Sequence, residues 1–83
     1  MEKYVELIEL QKVWLKAKGS SLFADSLRKP LPFSYFEIEE AVELFAQQEG
    51  RRVDKWELIL QERIIPRSSI PCVRGVKIWF NGG

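Results

Sequence analysis

Residues 34–50, SYFEIEEAVELFAQQEG, encode both ends of one helix. In SYFE, the Ser34 hydroxyl is placed to accept from the Glu37 amide while the Glu37 carboxylate reaches back to the Ser34 amide, a capping box. Phe33 and Ile38 occupy the positions of a hydrophobic staple across that box. Ile38, Ala41, Val42 and Phe45 recur at helical spacing and define an inner face. Gly50 stands where a left-handed C-terminal residue is needed. A helix over 34–49 is therefore specified at both ends.

Upstream, residues 2–18 read as a helix with Tyr4, Leu7, Ile8, Trp14 and Leu15 in register and Gly19 as its stop. Val5, Leu10 and Val13 widen its apolar stripe, as suits a helix that is central or packs on a second subunit. The alternation of Val5, Glu6 and Leu7 also permits a short opening strand before a helix starting near Glu9. Ser20–Lys29 predicts a short helix ended by Pro30, and KPLPF is an extended connector. Asp54-Lys55-Trp56-Glu57 repeats the capping logic and predicts a helix over 54–64, with Trp56, Ile59, Leu60 and Ile64 inward and Pro66 closing it. The tail changes period. Val76, Ile78 and Phe80 alternate with Lys77, Trp79 and Asn81, and Arg74-Gly75 is a hairpin signal that pairs them with Ile70–Val73. The expected fold class is α+β, mostly helical, with three or four helices and a C-terminal β-hairpin, in a single small domain over residues 1–83.

The chemical inventory is thin. Histidine is absent and Cys72 is the lone cysteine, which removes the commonest general base, the commonest metal ligand and any internal disulfide. No P-loop or dinucleotide-binding glycine motif occurs. Glu37, Glu39, Glu40 and Glu43 read as a solvated face favoured by the helix dipole. Neither an enzyme nor a cofactor is expected. The N-terminus, acidic within its first apolar stretch, does not fit a signal peptide, and no run is long enough for a bilayer, so a cytoplasmic protein without membrane partners is the expectation.

Charge is divided along the chain: residues 1–49 carry six basic and nine acidic side chains, net −3, and residues 50–83 carry seven and three, net +4. An anionic partner is therefore sought at the basic end. The stretches AQQEGRRVDKW, QERIIPRSSIP and VRGVKIWF resemble the winged helix-turn-helix of phage excisionases and MerR-type regulators. The resemblance covers roughly residues 41–80 and is one of architecture. It implies a second helix in the major groove of double-stranded DNA, a hairpin wing on the adjacent backbone, and a role as regulator or recombination accessory factor.

On that reading Arg51, Arg52, Arg67 and Arg74 are phosphate contacts, with Lys55, Gln61 and Lys77 completing the DNA-binding set. The rival reading is a protein-binding adaptor or inhibitor acting through the acidic helix 34–49 or the first helix, because Glu57, Leu58 and Glu62 are poor base readers. A homodimer through the first helix, suggested by its wide apolar stripe, would suit a DNA binder that reads paired half-sites. Trp14 and Trp56 are expected in the core, Cys72 as a buried hydrophobe, and Trp79 either covering the hairpin or facing a partner.

Overall fold

The computed structural model describes residues 2–60 and 73–81. In chain order these form β1 (Glu2–Glu6), α1 (Leu7–Ala17), α2 (Ser21–Ser26), α3 (Tyr35–Glu49), β2 (Val53–Leu60) and β3 (Val73–Phe80). The three strands make one antiparallel sheet in the order β1-β3-β2. The architecture is thus a small α+β domain, with strands both before and after the helices.

The capped helix forms as its sequence specifies. Glu37 N donates to Ser34 Oγ at 3.1 Å, and Ser34 N donates to a Glu37 carboxylate oxygen at 3.0 Å. At the other end Gly50 adopts φ 68°, where a side chain would be strained, and Arg51 N closes on Ala46 O at 3.0 Å. Ile38, Ala41, Val42 and Ala46 are buried.

Three expectations are corrected. Residues 2–18 are not one helix: the strand opening prevails, because Val5 pairs with Val76 across β1 and β3 and is buried there. Over residues 54–60 the helix expected over 54–64 is replaced by β2; residues 61–64 lie outside the described residues. Once Asp54 is set aside as a bulge, Lys55, Glu57 and Ile59 alternate with Trp56, Leu58 and Leu60, which is the period of a strand. A capping pattern is local, and pairing with β3 outweighs it. Finally, Arg74-Gly75 is no turn. Both residues lie inside β3, which pairs antiparallel with β1 and β2; residues 61–72, and with them most of the expected partner Ile70–Val73 and Cys72, lie outside the described residues.

Gly75 is required by proximity. A Cβ there would overlap the Val5 carbonyl oxygen and stand 3.0 Å from Glu6 Cα and from Tyr4 Oη. The backbone of β1 fills the space a side chain would need. α1 contacts α2, α3, β1 and β3, so its broad apolar stripe is used within the fold, and none of its residues is among the large exposed hydrophobics. The core joins Val5, Leu7 and Leu10 to Ile38, Ala41, Val42 and Ala46 of α3 and to Val76, Ile78 and Phe80 of β3.

Gly75→Ala should destabilise the protein by at least ~2 kcal/mol in a urea titration, since the added methyl overlaps the β1 backbone, which cannot yield as a side chain could. Ser34→Ala should cost about 1 kcal/mol through loss of the cap, with the fold retained.

Candidate interaction surfaces

The register of the sheet sorts its side chains into two faces. Val5, Val76, Ile78, Phe80, Trp56 and Leu58 face the helices, and Glu2, Tyr4, Lys77, Trp79, Lys55 and Glu57 lie on the opposite face at exposed or half-buried positions. On that open face Trp79 is flanked by the Lys55 ammonium, 4.5 Å from the ring centroid, and the Lys77 ammonium at 5.8 Å. Lys77 also lies 3.9 Å from Glu2. Trp79, out of phase with its neighbours, therefore covers the outer side of the sheet. Trp56 packs against the core as expected, though from a strand.

Of the proposed DNA contacts, Lys55 and Lys77 are brought together around Trp79. Arg51 and Arg52 sit in the turn between α3 and β2, near the same end of the sheet. The Arg51 guanidinium lies 5.5 Å from the Phe80 ring centroid, and the Arg52 carbonyl accepts from Asn81 N at 2.9 Å. Arg74 is exposed on β3 as the extra residue between the Ile59–Gly75 and Leu60–Val73 pairs, distant in register from Trp79. Gln61 and Arg67 lie outside the described residues. None of the described members stands on a second helix, because β2 occupies that place.

The helical side has a different character. α3 contains five glutamates and no lysine or arginine. Glu37 is engaged in the capping box, Glu40 is held by Lys18 Nζ at 2.6 Å and Glu49 by Lys3 Nζ at 3.2 Å. Phe36, Glu39, Glu43 and Gln47 are exposed and follow one another at three- and four-residue steps, so they form one outward stripe. Phe36 is 75% exposed and Tyr35 62%, although the Tyr35 ring also packs on Trp56 at a centroid distance of 5.2 Å. On α2, Leu22 is 86% exposed. Large apolar side chains held this far into solvent are the feature that most resembles a binding surface.

One structural contact went unseen in the sequence. Gln11 is 2% exposed, and its amide exchanges two hydrogen bonds with the backbone of Leu31: Gln11 Nε2 donates to Leu31 O at 2.6 Å and Leu31 N donates to Gln11 Oε1 at 3.0 Å. The amide thereby pins the proline-flanked connector to α1 and orients the start of α3. A cavity of about 40 Å³ bordered by Gln11, Trp14, Leu31, Phe33 and Glu37 lies beside this clamp, with the Phe33 ring edge-on to Trp14. The signal that would have revealed it is a glutamine on the apolar side of a helix facing a segment whose backbone has no ladder partner.

The Lys18 ammonium, by hydrogen bonding, holds the Glu40 carboxyl below its ordinary value of 4.5. Among the described residues, no group of three or more histidine, cysteine, aspartate or glutamate side chains could hold a metal ion, and no helix is long and apolar enough to cross a membrane. No family model matches the chain, and neither a curated protein nor a solved structure matches it.

Gln11→Leu should destabilise by about 1–3 kcal/mol, since it strands the Leu31 amide and carbonyl without partners. For Glu40 the folded carboxyl titrates below the unfolded one, so its stabilising contribution is present above about pH 4.5 and is lost as pH falls through the depressed value. Lys18→Met should return the Glu40 carboxyl toward its ordinary titration, read by carbon-detected NMR. An unchanged titration would remove Lys18 as the cause.

Proposed function

We propose that the protein is a non-enzymatic interaction module that binds a protein partner through the outward face of α3. The observation that carries this reading is the stripe Phe36, Glu39, Glu43, exposed on a helix without a single cation. The connectivity supports a winged-helix architecture: a strand, then helices, then a two-stranded ribbon that returns to pair with the first strand in the order β1-β3-β2. In such an architecture the helix before the ribbon is the one presented to a partner. Here that helix is α3. Arginine, lysine and asparagine, which read base edges and phosphates, are missing from it, and its free glutamates repel a phosphate backbone. An apolar anchor bordered by acids suits a segment of a protein that is basic and amphipathic.

Binding to double-stranded DNA stands as a second reading. It is favoured by the gathering of Lys55 and Lys77 around Trp79, with Arg51 and Arg52 near the same end of the sheet. In that mode the sheet face and turn, not α3, would meet the duplex.

Amide NMR titrations with two probes separate the readings. A leucine- and lysine-rich amphipathic peptide should shift resonances along α3, and Phe36→Ala should weaken it about tenfold or more, as expected for an aromatic anchor. Random-sequence duplex DNA should leave the spectrum unchanged at moderate salt. Duplex binding whose affinity falls steeply with salt and is lost in Lys55→Ala/Lys77→Ala, with no response to the peptide, would overturn the proposal in favour of the second reading.

A further inference from the structure

The strand order leaves β2 terminal, with β3 on one side and no other described strand on its far side. A strand of eight residues at the edge of the described sheet is a template for further pairing unless something blunts it. The bulge at Asp54 blunts one end. Lys55 and Glu57 would blunt the middle, but they are opposite in sign and two residues apart, on the same open face. That spacing has a consequence for a strand that meets its own copy.

We propose that β2 pairs antiparallel with β2 of a second copy of this chain, with Trp56 opposite Trp56 on a two-fold axis. In this register Lys55 of each copy faces Glu57 of the other, giving two cross-strand ion pairs related by symmetry. Moving the axis to Lys55 sets lysine against lysine, and moving it to Glu57 sets glutamate against glutamate. Axes between residues would place outward side chains against inward ones.

The ion pairs also extend rows already present. Across one sheet run Tyr4, Lys77 and Glu57, and across the same sheet one step on run Glu2, Trp79 and Lys55. Pairing joins the Glu57 end of one row to the Lys55 end of the other. On the helical side, the half-buried Trp56 and the exposed Tyr35 ring stacked against it lie next to the free edge. The axis brings both aromatic pairs together and covers them. Beyond Leu58 the Asp54 bulge ends regular pairing, so the seam is short and the dimer forms in the high-micromolar range. This interface is separate from the Phe36 stripe and does not rest on the partner proposed for it.

Sedimentation velocity from low micromolar to millimolar protein, with amide hydrogen exchange of β2, tests the dimer. The wild-type chain should dimerise with rising concentration, and edge-facing β2 amides should gain protection in step. Glu57→Lys should weaken association about tenfold or more by creating two like-charge contacts. Lys55→Glu/Glu57→Lys, which exchanges the two charges, should restore it. A wild-type monomer at millimolar concentration overturns the proposal. So does a dimer that forms without added protection in β2, or one in which the exchanged double variant associates no better than Glu57→Lys.

Discussion

The close approach of β1 to β3 at Gly75 governs the rest of the fold. β3 is the central strand, and its inward residues Val76, Ile78 and Phe80 form the floor on which the helices rest. That floor is complete only if β1 lies flush beside it, delivering Val5 against Val76. At Gly75 the β1 backbone occupies the volume of a side chain, so the strands settle only around a residue that has none. With β1 in place, α1 follows directly from it and packs against β3 and α3. The Gln11 amide then fastens the Leu31 connector, which sets where α3 begins.

Elements whose signals are local were legible in the sequence. The Ser34–Glu37 box, the left-handed Gly50 and the short helix before Pro30 each rest on contacts within a few residues, and each is present close to where the residues place it. The elements that were misread are those decided by distant partners. Asp54 to Glu57 has the pattern of a helix start, yet VDKWELIL becomes a strand because β3 offers a ladder and Trp56 and Leu58 meet the core through it. Arg74-Gly75 resembles a tight turn, yet the glycine answers to the β1 backbone, some 70 residues earlier in sequence. Nothing within a short window distinguishes a glycine that turns from one that makes room.

That misreading moved the candidate site. With a helix over 54–64, the basic residues of the second half would have lined one reading surface. As a strand, β2 sends Lys55 to the open face of the sheet beside Trp79, while Arg74 is the extra residue of an irregularity at the other end of β3. On the proposed reading the helix that meets a partner is α3, whose acids read in the sequence as a solvated face. Some are: Glu37, Glu40 and Glu49 have partners within the chain. Glu39 and Glu43 instead follow an exposed phenylalanine along one stripe, and a phenylalanine left in water on a capped helix is the part that bland solvation does not explain.

The fold and both proposals turn on the conformation of residues 53–60, since a strand there removes the reading helix and leaves β2 terminal among the described strands. Backbone NMR of the intact chain addresses it directly. The account predicts extended Cα and Cβ shifts from Val53 to Leu60 and cross-strand Overhauser contacts from Trp56 to Ile78 and from Leu58 to Val76. Helical shifts with sequential amide–amide contacts running on from Asp54, and no contact from Trp56 to Ile78, would contradict it.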